Sequence, residues 1–366
     1  MGNARNLADN LPPASGFATS VTGAAGNRNL IINGAMQVSQ RHLQAQVTVA
    51  PSDHYVVDRF KIQDYSDATF TSQHVSDAPE GFHRSAKLTV TGTDTSLGTT
   101  QYQRFIQPIE GYNISHLNYG WGFAQTVTFS FYVKSSLTGT FSTFIFNSAA
   151  NRSFVSTYTI SAANTWEKKT ITIPGDQGGT WDKTTGVGMY IGWSLGTGTN
   201  FQTSTLNAWD ASFKMAGTSQ VNFAGTNGAT WQVTGVQLEL GDTATEFEHE
   251  NYDITLEKCQ RYYQRSSQGS GRTYGICFNQ YTATNAYSNM RWWKPMRTSP
   301  TITVQSLPNY NIYNTNASRT LTSIGISQLS ENSGEFYLTT QSLTAGTATH
   351  LNTNGDTWMW KADAEF

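Results

Sequence analysis

The sequence has few charged residues and no concentration of positive charge. Asp, Glu, Lys and Arg make up 13% of its 366 residues, about half the share of roughly 25% found in soluble proteins. The formal net charge is −2, and no basic stripe runs along the chain. A nucleic-acid-binding protein needs such a stripe to neutralise phosphates. We therefore expect no nucleic-acid partner.

Cysteine and long apolar runs are also scarce. The two cysteines, Cys259 and Cys277, are too few for a disulfide framework, and no Cys/His cluster indicates zinc. We expect both thiols to be buried or half-buried. No apolar stretch approaches the roughly 20 residues that a membrane span requires, and no basic region followed by an apolar core opens the chain. The sequence therefore predicts a soluble protein without membrane insertion or a secretory signal.

Glycine and aromatic residues are plentiful, and threonine, serine, asparagine and glutamine provide the surface polarity in place of charged residues. This mixture favours strands and turns. In "TVTFSFYVK" every second residue is apolar, which is the period of a strand with one buried face. Four further segments alternate in the same way. The predicted inward residues are Val127, Phe129, Phe131 and Val133; Val187, Met189, Ile191 and Trp193; Ala86, Leu88 and Val90; Ile171 and Ile173; and Trp231, Val233, Val236, Leu238 and Leu240.

The last of these segments changes its inward set by one residue at Gly235, which predicts a β-bulge. Gly-rich turns separate the strands, and no helices lie between them, which excludes a βαβ fold. The fold prediction is therefore mainly β: a jelly-roll β-sandwich followed by a short helix and a second, smaller β-domain.

The predicted helix lies within "TLEKCQRYYQRS" (Thr255 to Ser266). Asp253 is a candidate N-cap, and Leu256, Cys259 and Tyr263 share one face. Glu257 and Arg261 form an i, i+4 pair. The predicted organisation is an extended arm over 1–28, the jelly roll over 29–250, a helical joint over 251–267 and a C-terminal β-domain over 268–366.

The arm over 1–28 has no hydrophobic periodicity and contains Pro12–Pro13. Such a segment has no core of its own, so a partner is needed to order it. Two interpretations stay open, a disordered tail and a segment that docks onto something larger.

Four segments together resemble bacteriophage virion proteins of the tail-fibre or receptor-binding type. They are "NLIINGAMQVSQR" (29–41), Val236 to Arg265 with its "FE…CQRYYQ" block, "KPMRTSPTITV" (294–304) and the terminal "ADAEF". The opening "NARNLAD" resembles the N-terminal anchoring segments of phage fibres. By this resemblance, Asn3, Arg5, Asn6 and Leu7 would dock the chain onto a phage tail or capsid protein.

The resemblance implies a non-enzymatic virion protein, typically a homotrimer, that assembles in the cytoplasm of the host bacterium. It also implies a central domain similar to jelly-roll carbohydrate-binding modules, which often hold a structural Ca²⁺. Asp53, Asp58 and Asp64 carry suitable oxygen atoms, but no EF-hand or nonapeptide loop occurs, so we assign no residue as a metal ligand. We expect no other cofactor.

Glycan binding needs exposed aromatic faces beside groups that bond to hydroxyls, because sugar C–H bonds pack on the negative face of a ring. The candidates are aromatic and acidic residues in Gly-rich or polar loops. They are Tyr119, Trp121, Trp181, Asp182, Trp209 and Asp210. The alternative is that these rings cap the sandwich ends or line a subunit interface. Trp193 and Trp231 lie at inward strand positions and are predicted to be core residues.

Catalysis is the competing class, since a glycosidase needs two carboxylates at a set separation. Glu246, Glu248 and Glu250 alternate along one predicted strand face, where a solvated edge explains them better. No GxSxG or HExxH motif occurs. We therefore predict a non-enzymatic appendage that attaches to a bacterial surface polysaccharide. Two alternatives stay open: a capsid fibre or decoration protein without receptor affinity, and a polysaccharide depolymerase.

Overall fold

The computed structural model describes residues 28–49, 52–266, 274–304, 306–307, 310–314, 317–353 and 358–366. Asn3, Arg5, Asn6 and Leu7 lie outside these ranges, so their docking role stays a prediction. The described chain forms two compact units. Unit 1 contains residues 28–37, Gln44–Val56 and Phe60–Glu250. Unit 2 contains Val38–Leu43, Val57–Arg59 and the chain from Asn251 to Phe366.

The first fifteen strands form in short runs separated by turns. They are β1 Val47–Val49, β2 Ser52–Val57, β3 Phe60–Asp64, β4 Thr69–Val75, β5 Ser85–Gly92, β6 Tyr102–Glu110, β7 Val127–Ser135, β8 Gly139–Phe146, β9 Ser153–Ile160, β10 Glu167–Ile173, β11 Val187–Thr197, β12 Gln202–Thr203, β13 Trp209–Asp210, β14 Ala216–Gly217 and β15 Thr230–Leu240. The short helix α1, Gly111–Ile114, follows β6, and 3₁₀ turns occur at Ser115–Leu117, Thr199–Phe201 and Phe223–Gly225.

Two sheets account for most of these strands. Sheet A has the order β1-β4-β5-β15-β7-β10, and sheet B has the order β13-β9-β8-β11-β6-β3-β2. Aromatic residues from both sheets meet in the core, where the ring of Trp231 in sheet A lies 5.6 Å from Trp193 and 5.5 Å from Phe105 in sheet B. The predicted jelly-roll sandwich is confirmed.

Strand alternation predicted the core of unit 1. Phe129, Phe131, Trp193 and Trp231 are all buried, as expected. Gly235 has a φ of +60°, and the register between β15 and β7 shifts between Thr234 and Gln237, which confirms the bulge. Leu240, which was predicted to point inward, is exposed at the last position of β15.

Unit 2 contains one helix and ten strands in its described residues. The helix α2 is Tyr252–Gln260. The strands are β16 Tyr263–Arg265, β17 Tyr274–Gln280, β18 Asn285–Arg291, β19 Thr301–Val304, β20 Tyr310–Asn314, β21 Ala317–Thr320, β22 Ser323–Ser327, β23 Ser333–Thr339, β24 Ala348–Thr353 and β25 Trp360–Asp363. They form two sheets with the orders β16-β25-β19 and β21-β20-β24-β17-β18-β23-β22. The predicted short helix and smaller β-domain are confirmed. None of the helices in the described ranges is long and apolar enough to cross a membrane.

The helix itself is shorter than its sequence pattern suggested. Asn251 occupies the N-cap position, and Asp253 lies in the first turn. Tyr263 belongs to β16. The carboxylate of Glu257 pairs with Lys294 Nζ at 2.8 Å, so the predicted pairing with Arg261 is replaced by a tertiary contact. Cys259 is buried as expected, whereas Cys277 is exposed.

Charged residues from remote parts of the sequence meet inside unit 2. Arg41 Nη2 lies 2.8 Å from Asp363 Oδ2, and Arg59 pairs with Glu365. The Arg59 guanidinium also lies 3.5 Å from the ring centroid of Tyr262. Segments 38–43 and 57–59 therefore group with unit 2, although the sequence places them within the stretch 29–250.

Candidate functional site

Three of the predicted glycan-binding rings pack against one another in unit 1. Tyr119 and Trp181 are buried and Trp209 is half-buried. Their ring centroids lie 4.9 Å apart for Tyr119 and Trp181, 5.8 Å for Tyr119 and Trp209, and 5.6 Å for Trp181 and Trp209, all edge to face. Such aromatic packing is worth about 0.5–1.5 kcal/mol per pair beyond burial. The expectation that Tyr119 and Trp181 present open faces is therefore wrong.

Hydrogen bonds hold this aromatic group in place. Trp181 Nε1 lies 3.2 Å from both Asp176 Oδ2 and the Gly178 carbonyl oxygen. Trp209 Nε1 donates to the carbonyl of Pro174 at 2.7 Å. Arg152 forms an ion pair with Asp176. The aromatic group therefore stabilises the loops that carry Tyr119 and Trp181.

The two predicted carboxylates are engaged in turns. Asp182 Oδ1 accepts hydrogen bonds from the backbone N and the hydroxyl of Thr184, at 2.6 and 2.7 Å. Asp210 Oδ1 accepts one from the Ser212 hydroxyl at 2.8 Å. Side chains of Asp commonly bond to the backbone two residues on and so fix a turn. These contacts explain why an Asp follows each tryptophan without invoking a ligand.

Trp121 is the predicted residue with an open ring. It is 56% exposed, and its ring centroid lies 5.7 Å from that of the exposed Phe123. The Lys183 ammonium lies 5.0 Å from the Trp121 centroid. Backbone hydrogen bonds from Trp121 to Asn118 and from Ala124 to Trp121 fix the loop. Trp121 is thus an exposed ring on a hydrogen-bonded loop.

A second cluster lies on the face of sheet B that points away from sheet A. In β3, Phe60 and Ile62 face the core, so Lys61 and Gln63 face the other way. The register places Gln63 opposite Arg104 of β6, and Arg104 opposite Ser194 of β11. Directly opposed residues on neighbouring strands share a face. The topology therefore brings polar side chains from β3 and β6 together.

Arg104 is the centre of this cluster and is 8% exposed. Its guanidinium carbon lies 4.9 Å from the ring centroid of Tyr102, 5.0 Å from Phe146 and 5.5 Å from Phe213. Nε donates to Gln63 Oε1 at 2.7 Å, and Nη1 lies 3.2 Å from Met215 Sδ. Burial lowers the pKa of Arg104, and neighbouring phenols and Asp53 partly oppose that shift. The cation is buried among rings and neutral partners.

Gln63 links Arg104 to an acid. Its Nε2 donates to Asp53 Oδ1 at 2.6 Å, and Lys61 Nζ lies 2.7 Å from Asp53 Oδ2. One carboxylate, Asp53, therefore stands beside two cations, Lys61 and Arg104, which leaves a formal charge of +1. We call the set Asp53, Lys61, Gln63, Tyr65, Tyr102, Arg104, Phe146, Tyr190, Phe201 and Phe213 the Arg104 cluster.

Tyrosines make the accessible part of the Arg104 cluster. Tyr65 is 49% exposed, and its ring lies 5.0 Å from that of the half-buried Tyr102. Tyr190 stacks on Phe146 with centroids 4.6 Å apart. Burial, with a contribution from Asp53, raises the pKa of all three phenols. They are therefore protonated and able to donate hydrogen bonds at neutral pH.

Sequence reasoning missed the Arg104 cluster, although one signal was present. In "FKIQ" (60–63) apolar and polar residues alternate, so Lys61 and Gln63 can be assigned to the outward face, whereas the consecutive polar residues of "YQRF" (102–105) do not show on which face Arg104 lies. The segments are about 40 residues apart, and only pairing in the sheet brings them together.

The acidic run lies outside the Arg104 cluster, and of the three aspartates considered for Ca²⁺ only Asp53 belongs to it. Glu246, Glu248 and Glu250 fall in an irregular segment instead of a strand, and Glu248 accepts a hydrogen bond from the backbone N of Asn29 at 2.7 Å. Asp53 and Asp64 belong to unit 1 and Asp58 to unit 2. Asp64 Oδ1 bonds to Ser66, and Asp58 Oδ1 accepts a hydrogen bond from the backbone N of Gln40. The described residues contain no group of three or more His, Cys, Asp or Glu arranged for a metal. A structural Ca²⁺ stays a prediction.

No protein-family model and no curated protein matches the chain. Several solved structures resemble it. The enzymatically active domain of bacteriophage CBA120 tailspike protein 4 is 14% identical over 58% of this chain, with a TM-score of 0.32, and the match spans 22% of the tailspike chain. A CBM4 structure is 14% identical over 57% of this chain and 98% of its own, with a TM-score of 0.28. A family 11 carbohydrate-binding module of Clostridium thermocellum, solved with a mixed-linked tetrasaccharide, is 15% identical over 56% of this chain and 98% of its own, with a TM-score of 0.27. At such TM-scores these likenesses carry no argument about function.

Proposed function

We propose that this chain is a glycan-binding protein and that the Arg104 cluster is its binding site. The observation that carries the proposal is the exposed ring of Tyr65 beside Tyr102, both next to the fixed polar chain from Asp53 through Gln63 to Arg104. Sugars offer apolar C–H faces and hydroxyl groups on one small unit. A site of rings and convergent polar groups matches both.

The polar groups of the Arg104 cluster are fixed before any ligand arrives. Gln63 is held at both ends of its amide, and the Asp53 carboxylate is held by Lys61. A ligand therefore meets donors and acceptors whose ordering cost is already met by folding. The phenols donate, Asp53 accepts, and the ring faces supply apolar area.

Mutagenesis combined with a glycan-binding screen tests the proposal. The full chain is screened against immobilised bacterial surface polysaccharides, and the affinity of any ligand is measured for Tyr65→Ala and Tyr102→Ala. We expect each variant to bind about five- to 150-fold more weakly, taking the roughly 1–3 kcal/mol of one base–aromatic stacking contact as the guide for a sugar–aromatic contact. Tyr281→Ala removes a 74% exposed tyrosine of unit 2 and is the matched control. Equal affinity of all three variants would place the site elsewhere.

Trp121 is a second candidate glycan-binding residue, because its exposed ring pairs with Phe123 on a hydrogen-bonded loop. Trp121→Ala in the same screen separates the two surfaces. Loss of binding in Trp121→Ala alone would assign the ligand to this loop.

We further propose that the glycan-binding chain is a phage virion appendage that attaches the particle to its host, and that it binds without cleaving. The resemblance of the segments at 29–41, 236–265, 294–304 and 362–366 to tail-fibre proteins supports this role. Homotrimer formation and docking through residues 1–28 are further expectations from the same resemblance. Electron microscopy of the intact virion, combined with an assay for released reducing ends, tests it. The chain on the tail with unit 1 accessible is the expected result. Location on the capsid shell with the Arg104 cluster covered would support the rival capsid-fibre or decoration role, and product release would support a depolymerase.

A further inference from the structure

The buried guanidinium of Arg104 has an unusual set of partners. An ionised group away from water is normally paired with an opposite charge, because burying it alone is costly. Among the described residues, no carboxylate pairs with Arg104 at ion-pair distance. Its bonded partners are the neutral Gln63 and the sulfur of Met215.

The nearest acid of the cluster is already committed. Asp53 is paired with Lys61 at 2.7 Å and accepts a hydrogen bond from Gln63 at 2.6 Å. Gln63 lies between Asp53 and Arg104, so the guanidinium contacts the neutral amide of Gln63 instead of the Asp53 carboxylate. The cluster therefore keeps one positive charge without a direct counter-charge.

One edge of the guanidinium is also unoccupied. Nε and Nη1 have the partners named above, whereas Nη2 makes no hydrogen bond to any residue in the described part of the chain. The rings of Tyr102, Phe146 and Phe213 surround the group and exclude much of the competing water. An anion bound here would meet a charged donor in a weakly screened setting, where charge-assisted hydrogen bonds are strongest.

We propose that the Arg104 cluster selects glycans that carry a carboxylate, such as a uronic-acid unit, and that the carboxylate is the missing counter-charge of Arg104. This inference rests on the proposed glycan-binding function and adds the ligand class to it. Carboxylate oxygens suit a planar guanidinium, and the adjoining Tyr65 and Tyr102 offer ring faces to the sugar.

The test compares each polysaccharide with its own neutral derivative. Fragments of polygalacturonate, hyaluronan and alginate are prepared before and after reduction of their carboxyl groups to primary alcohols, which keeps sugar sequence and linkage unchanged. We expect at least one acidic fragment to bind, with a loss of about tenfold or more in affinity after reduction. Its binding should also weaken as salt is raised, because screening acts on the ionic contact.

Two variants assign the selectivity to Arg104. Arg104→Gln should remove the preference for the acidic form, and Arg104→Lys, which keeps the charge but lacks the planar fork, should retain part of it. Lys168→Met removes the same charge from an exposed position in β10 of sheet A and is the control for net charge. A variant that does not fold does not weaken the test, since the comparison of acidic and reduced fragments uses the unmodified chain.

The outcomes separate this inference from the proposed function. Binding of neutral glycans without binding of any acidic fragment, or equal binding of acidic and reduced fragments, would overturn the acid preference and leave glycan binding standing. A folded Arg104→Gln that retains full acid preference would also overturn it, and would show that Arg104 serves only to pack the rings. Failure to bind any acidic or neutral polysaccharide would remove both proposals.

Discussion

The amide of Gln63 accepts a hydrogen bond from Arg104 Nε at 2.7 Å, while its own nitrogen donates to Asp53 at 2.6 Å. Both ends of one neutral side chain are therefore used to hold a buried cation and a surface acid in a fixed arrangement. Gln63 is itself 8% exposed, so water does not readily replace either bond. The order of the Arg104 cluster depends on this residue.

Replacing Gln63 with methionine should loosen the Arg104 cluster. Gln63→Met keeps the length of the side chain but leaves Arg104 Nε without its acceptor. We expect a loss of about 1–3 kcal/mol in the free energy of unfolding, measured by urea denaturation. Gln73→Met, which removes only the surface hydrogen bond to the Gln44 carbonyl, should change stability by less than about 0.5 kcal/mol. Equal losses in the two variants would contradict the role given to Gln63.

Replacing Trp181 should reduce the stability of the fold far more than replacing Trp121. Trp181→Ala empties a packed site between Tyr119 and Trp209 and should cost about 3–5 kcal/mol. Trp121→Ala removes an exposed ring and should cost no more than about 0.5 kcal/mol. Circular dichroism during urea unfolding gives both values without relying on tryptophan fluorescence. A large cost for Trp121→Ala would show that its ring supports the loop.

Two glycines with positive φ separate backbone strain from steric clash. Gly228 has a φ of +75° and open space where a Cβ would be, so Gly228→Ala should cost about 1–2 kcal/mol from backbone conformation alone. At Gly235 a Cβ would lie 2.7 Å from Phe82 Cζ and 2.8 Å from Tyr132 Cδ2. Gly235→Ala should therefore cost about 1–3 kcal/mol more than Gly228→Ala in thermal or urea unfolding. Similar costs would mean that the bulge relaxes around the methyl group.

The ion pair between Arg59 and Glu365 should matter far more than an exposed pair in the same unit. Both side chains are buried, and Arg59→Met leaves the Glu365 carboxylate with only the longer ion pair to Arg41 Nη1 at 3.6 Å, so we expect a cost of up to about 3–5 kcal/mol to unit 2. Glu257→Gln breaks the exposed pair with Lys294 and should cost no more than about 1 kcal/mol. Chemical denaturation followed by hydrogen exchange in residues 251–366 measures both. If Arg59→Met and Glu365→Gln together restore stability, desolvation of the charges outweighs their attraction.

The helix shows where local pattern stops being sufficient. Its spacing of apolar residues predicted a helix near Thr255, and a helix is present at Tyr252–Gln260. The end of the helix and the partner of Glu257 differed, because Tyr263 pairs into β16 and Lys294 lies within reach of Glu257. The local spacing of apolar residues cannot predict strand pairing or ion pairs with residues far away in the sequence.

The loop aromatics show the same limit at the candidate site. Glycine and polar neighbours around Tyr119 and Trp181 indicated exposure, yet the two rings bury each other together with Trp209. The loops that carry them are about 60 residues apart in sequence. Burial of large rings is favourable wherever the fold brings them together, and the local sequence does not record that meeting.

Alternation in the sequence identifies the strands around Phe129, Trp193 and Trp231 with their buried faces, and it identifies the bulge at Gly235. Alternation with a period of two, and a glycine that tolerates positive φ, are local properties of consecutive residues. The sequence does not show that Arg104 lies among Tyr102, Phe146 and Phe213 with Gln63 as its acceptor, or that Arg59 pairs with Glu365. Those contacts depend on strand order and on register across remote segments, which are set by the packing of the whole fold.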